Sequence, residues 1–144
     1  MTKEKLRAYR DIKLEKDKLA EMVVELEAAI YGPSSQRMDG QPRGGGGPAD
    51  VVGDAATKHE ELMDRYRKKL RELEAALVEI ERAIETLEPR ERTLIRLYYA
   101  QGLTWEEVCV EMSYSWRQIH RIHGMALEAL KNKEKEEEEE PVNV

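Results

Sequence analysis

Apolar residues in this chain fall into two long runs of helical spacing, followed by shorter groups separated by turn signals. Between residues 3 and 31 no Gly or Pro intervenes, and Ile12, Lys16, Leu19, Val23, Leu26 and Ile30 alternate four and three apart. That rhythm predicts one helix, about 43 Å long, with a coiled-coil-like seam in which Lys16 is the misfit. From Val51 to Leu87 the pattern is cleaner: Met63, Tyr66, Leu70, Leu73, Leu77, Ile80, Ile84 and Leu87 follow the same alternation unbroken. A continuous apolar stripe must bury against another helix. The first helix offers a matching seam in the same chain, as an antiparallel hairpin. A second chain offers another, as a homodimer or a four-helix arrangement. Both stay open at this point.

Between the two helices, residues 32–50 hold Pro33, Pro42, Pro48 and the run Gly44-Gly45-Gly46-Gly47, which predicts an irregular loop at the hairpin tip. No Lys-Ser or Lys-Thr follows the glycines and no strand precedes them, so they are not a phosphate cradle. Glu88-Pro89 ends the second helix and starts a third, over residues 89–100, with Leu94, Ile95, Leu97 and Tyr98 available for packing. Gly102 supplies its stop. Thr104 with Glu107 three residues on forms a capping box for a short helix, Trp105 to Met112, turning Val108, Cys109 and Met112 inward. Ser113-Tyr114 make a turn. Ser115 then caps a longer helix with Ile119, Ile122, Ala126, Leu127 and Leu130 on its buried face.

Short helix, tight turn and longer helix is the layout of a helix-turn-helix. The turn commonly carries glycine; Ser113 stands there instead and must bear the cost of a left-handed backbone. The exposed face of the second helix opens with Trp116, Arg117, Gln118, His120 and Arg121, the end that such motifs insert into the major groove of double-stranded DNA. Arginine can donate two hydrogen bonds to guanine and glutamine can pair with adenine, while Ser115 and the helix N-terminus can hold a phosphate. Arg90, Arg92 and Arg96 on the preceding helix are placed to touch the flanking backbone. Singly, each is an ordinary solvated residue; their grouping at the start of one helix carries the DNA-binding reading.

The formal net charge of −6 argues against a nucleic-acid partner until its distribution is considered. Residues 132–144 hold two lysines against six glutamates, whereas residues 89–131 hold six basic residues against five acidic ones. Local charge governs groove binding, and the acidity lies elsewhere, in the tail and the second helix. No apolar run approaches the ~20 residues of a membrane span, and the N-terminus lacks the apolar stretch of a signal peptide. One cysteine rules out an intramolecular disulfide. A cytoplasmic protein is expected.

The stretch Leu87-Glu88-Pro89-Arg90-Glu91-Arg92, then Gly102-Leu103-Thr104-Trp105-Glu106-Glu107-Val108, then Ser113-Tyr114-Ser115-Trp116-Arg117-Gln118-Ile119 resembles region 4 of bacterial sigma factors. It is more similar still to the region-4-like regulators of phages and prophages of the RinA and ArpU type. The resemblance covers about residues 87–130. It implies DNA-binding control of phage gene expression in a bacterial host cell, as an activator, with RNA polymerase as a second partner. It also places Trp116, Arg117, His120 and Arg121 on the promoter-reading face. Sigma factors usually carry a polar residue where this chain has Trp116, so their base preference does not transfer. Nothing here resembles the sigma region that melts promoter DNA.

His120, His123 and Cys109 suggest a metal set only superficially, because no Cys-x-x-Cys and no fourth ligand accompany them. No cofactor is expected. No catalytic constellation is present, so no enzyme is expected. Tyr98, Tyr99 and Trp105 read as core, and His59 as a partly exposed seam residue. The expected organisation is all-α: a coiled-coil-like hairpin over 1–87, a sigma-region-4-like helix-turn-helix domain over 88–131, and a disordered acidic tail over 132–144. The competing functions are a small terminase-like DNA-packaging subunit and a helical scaffold whose motif binds nothing.

Overall fold

The computed structural model describes residues 1–32 and 48–139, and these form helices joined by short turns, with no strand among them. The protein is all-α. Helix α1 spans Lys3–Tyr31 and α2 spans Pro48–Ile84. Then come α3 (Pro89–Ile95), a π turn (Arg96–Ala100), α4 (Trp105–Met112) and α5 (Trp116–Glu139). Most of the expected glycine-rich loop lies outside the described residues. Helix α2 begins three residues earlier than the apolar pattern suggests, on Pro48, whose missing N–H and fixed φ suit a first helical position.

Contacts divide the chain into two units that cut through both long helices: residues 1–14 with 72–144, and residues 15–71. This differs from the division expected at Glu88-Pro89. Within residues 15–71 the two helical segments run antiparallel, with Lys69 paired to Glu15 at 2.6 Å and His59 Nε2 to Glu27 Oε1 at 2.8 Å. The seam here is thin. Val23 is its one buried side chain among the described residues, and Leu19, Leu26, Ile30, Met63, Tyr66 and Leu70 are half-buried. Lys16, the misfit, keeps its stem against the seam and its ammonium 3.0 Å from Asp17.

The other unit holds the core. Leu6 and Tyr9 from α1 and Leu73, Ile80, Ile84 and Leu87 from the end of α2 join Leu94, Ile95, Tyr99, Val108, Ile119, Ile122, Ala126 and Leu130 in one buried cluster. The first turns of the chain are thus integral to the helix-turn-helix core. Spacing alone would extend the α1 seam back from Ile12 to Tyr9 and Leu6, but not reveal that these residues meet a different set of helices.

Helix α5 continues to Glu139, against the disorder expected from residue 132. No Gly or Pro interrupts residues 125–139, and Glu and Lys are good helix formers. Lys133 also reaches back to the carbonyl of Ala83 at 3.5 Å, and the N-terminal ammonium lies 3.8 Å from Glu134. A continuous helix sets Glu136 about 22 Å along the axis from Arg121. That exceeds the ~8 Å screening length at physiological salt, so the acidic run does not compete for the basic end of its own helix.

Candidate nucleic-acid interface

The lead-in to the motif is built on a widened turn. Gln101 N–H donates to the Arg96 carbonyl at 2.8 Å, an i→i+5 bond, and Leu103 N–H reaches the Leu97 carbonyl at 3.1 Å. Gly102 closes this end at φ +75, with the Leu14 side chain 3.3 Å from where a Cβ would stand. A side chain there would meet both backbone strain and α1. Arg10 of α1 donates to Tyr98 O inside the turn at 3.1 Å and to Leu103 O just past it at 3.2 Å, with its guanidinium 4.3 Å above the Tyr98 ring. Sequence reasoning missed Arg10, which acts across more than 85 positions (|i−j| of 88 and 93), and no local signal marks it.

Both helices of the motif start on reciprocal capping boxes. Thr104 Oγ1 accepts from Glu107 N–H while Glu107 Oε1 accepts from Thr104 N–H, each at 3.2 Å. Ser115 Oγ accepts from Gln118 N–H at 3.2 Å, and Gln118 Oε1 accepts from Ser115 N–H at 2.9 Å. Between them Ser113 takes the left-handed conformation (φ 58, ψ 39). Tyr114 N–H closes the turn on the Cys109 carbonyl at 3.1 Å. The motif therefore forms with serine where glycine would be strain-free, at a cost of about 1 kcal/mol.

The expected site residues separate by what already occupies them. Arg117 and Arg121, four apart on α5, are exposed and have no hydrogen-bond or ion-pair partner among the described residues. The bracing pairs they could have made with Glu107 or Glu111 are not formed. Trp116 is 52% exposed beside them. Gln118 is exposed, but its carbonyl oxygen belongs to the cap, so two-point pairing with adenine requires the box to open. His120 is not on the open face: it is half-buried, its ring 4.9 Å from Trp105 and 4.5 Å from Trp116. Its Nε2 is buried without a partner.

The flanking arginines are largely engaged. Arg96 makes a two-pronged pair with Glu81, at 2.9 and 2.7 Å, and that pairing holds the Glu81 carboxyl below its ordinary value. Arg92 donates to the Glu85 carbonyl at 3.1 Å, and Arg90 lies 3.6 Å from Glu88. Of the three, Arg90 is the least constrained.

Behind the face, Tyr99 is 1% exposed and its hydroxyl shares a 2.7 Å hydrogen bond with His123 Nε2. Burial pushes the phenol up to about 12. Burial also pushes the His123 imidazole down to about 4, helped by the charges of Lys3, His120 and Arg7. A histidine held neutral in the folded state but free to protonate near 6.5 when unfolded draws protons toward the unfolded chain. Its contribution is therefore complete above pH 6.5 and is lost as pH falls toward 4. Chemical unfolding at pH 7 and pH 5 should show wild type losing more stability than His123→Asn, which carries no such group. Equal losses would contradict a buried neutral imidazole.

Residues 83–132 match the family model for Sigma-70, region 4. The match runs from the last turn of α2 through two-thirds of α5, about a third of the 144-residue chain. It supports sequence-specific DNA binding in transcription by a helix-turn-helix, and region 4 is a DNA-binding rather than a catalytic domain. The segments 1–14 and 72–82, which complete its core here, lie outside the match. No curated protein and no solved structure matches the chain. Among the described residues, no helix is long and apolar enough to cross a membrane.

Proposed function

We propose that this protein regulates transcription by binding a specific double-stranded DNA site, with the N-terminal half of α5 in the major groove. The observation that carries the reading is the pair Arg117 and Arg121: exposed, unpartnered, and at the start of the second helix of a region-4-like motif. A charged side chain with no partner at that end is available to base edges without first breaking an internal contact. Ser115 and the free N–H groups of the first turn of α5 suit a phosphate, and Arg90, Arg92 and Arg96 the flanking backbone. Trp116 supplies the apolar part of the face, with His120 packed behind it. Arg96 contributes through charge rather than direct contact while Glu81 holds it.

In this reading the protein is a phage or prophage gene activator that meets RNA polymerase at the promoter, as its resemblance to the RinA and ArpU type implies. The thin seam of residues 15–71, with Val24 and Tyr31 exposed at 63% and 73%, supports self-association through that unit. Selection of bound fragments from a random DNA pool with the full chain should enrich one sequence, and adding that site upstream of a promoter should change initiation by polymerase in vitro. Enrichment without any effect on initiation would point to a packaging subunit, and no enrichment at low salt to a non-binding scaffold. Sedimentation of the full chain at the mass of one copy would overturn the dimer.

A further inference from the structure

Trp116 is the largest exposed apolar side chain on the face assigned to DNA, and it is not loose. Its ring lies 4.5 Å from His120, which lies 4.9 Å from Trp105. Trp105 stacks on Tyr98 at 3.7 Å and 12°, and the Arg10 guanidinium sits 4.3 Å over Tyr98. Five side chains thus run from α1 to the N-terminal end of α5, and they hold the last ring in a fixed place. Half of the indole is left in water (52% exposed) although His120 Nε2, close by, is buried without a partner. An indole placed there only to fill space would cover that face more fully.

The neighbours of Trp116 decide what it meets. Arg117 and Arg121 are exposed and unpartnered, and the first turn of α5 presents unpaired N–H groups, so the surround is matched to a polyanion. An indole carries no charge and offers a phosphate a single Nε1–H donor, so most of its exposed surface is apolar and adds little to phosphate binding. Stacking on bases needs unstacked nucleotides, whereas a helix N-terminus enters an intact groove. The apolar feature on the edges of major-groove base pairs is the C5-methyl group of thymine. We propose that Trp116 is a specificity-determining residue that packs on a thymine methyl, with His120, Trp105, Tyr98 and Arg10 as positioning residues behind it. The inference rests on the groove placement proposed above and adds the group that is read.

The test uses the full chain and the DNA site enriched by selection, with each thymine replaced in turn by uracil, which removes the methyl and nothing else. Wild type should bind about four-fold more weakly at one or two of these positions, the worth of one buried methyl. Trp116→Ala should bind the thymine site more weakly and no longer distinguish it from the uracil site. Trp116→Leu should keep part of the distinction, and His120→Ala should blunt it while Arg117 dependence persists. Should Trp116→Ala fail to fold, the uracil series on wild type still decides. Equal affinity of wild type for every uracil-substituted site overturns the inference and leaves the DNA-binding reading intact. A variant that binds all sites like wild type but fails to activate polymerase also overturns it, by assigning Trp116 to a protein partner. If no site is enriched at all, the DNA-binding reading falls and takes this inference with it.

Discussion

A fragment beginning at Glu88 is expected not to fold. It would contain the whole helix-turn-helix, but Leu6, Tyr9, Leu73, Ile80, Ile84 and Leu87 would be missing from the buried cluster shared with Leu94, Tyr99, Val108, Ile119 and Leu130. Truncating a single large buried side chain costs about 2–5 kcal/mol, and a small domain has only about 5–15 kcal/mol in total. Six such losses exceed any reserve. The fragment would also lose Arg10, leaving the carbonyls of Tyr98 and Leu103 without their donor. A variant in which a short Gly/Ser linker replaces residues 15–71 keeps every one of these groups and should unfold cooperatively. Leu6→Ala in the full chain should lower stability by about 2–5 kcal/mol, because that side chain is 0% exposed. Circular dichroism and amide spectra check all three. A helical, well-dispersed fragment 88–144 would show that the motif holds itself together without α1.

What the sequence made legible was what local rules govern. The α2 seam reads directly from three-and-four spacing. The first capping box reads from Thr104/Glu107, the cap of the next helix from Ser115, and the left-handed Ser113 from its place in the turn; that Gln118 completes a second box was not read. Long-range partners were not legible. Leu6 and Tyr9 have ordinary helical spacing, and nothing local says they enter the core of a motif starting more than 80 residues later. The π turn at Arg96–Ala100 leaves no residue signature, because its extra residue is accommodated by the backbone and by Arg10. His120 looked exposed because its helical position is; two neighbouring indoles, one from each helix of the motif, bury it. Residues 132–139 looked disordered from their charge, but charge disfavours a packed core and not a helix. The candidate site was legible as a group; which of its members are free to act was not, since Arg96 is withdrawn by a pair with Glu81 that only the fold creates and Gln118 by its reciprocal cap with Ser115.

Arg117→Ala and Arg121→Ala are each expected to weaken binding of the enriched DNA site by about 1–3 kcal/mol, roughly 5- to 150-fold, and to relax preference at one base pair. Both side chains project from the exposed face of α5 and neither is tied to another residue, so their removal should leave the melting temperature within a degree or two of wild type. That separation of effects is the point. Had either arginine braced α4 through Glu107 or Glu111, alanine would lower stability and leave sequence preference unchanged. Arg96→Ala is the informative contrast: it breaks the two-pronged pair with Glu81 and should change stability more than base preference. Arg90→Ala, at the least constrained flanking position, should weaken all sequences alike and flatten the salt dependence by about one counterion. Melting temperature, affinity for the preferred site and affinity for a scrambled site, measured on the same four variants, decide the assignment. Unchanged preference in Arg117→Ala and Arg121→Ala would remove α5 from the groove, because no other exposed, unpartnered cation stands on the first two turns of that helix.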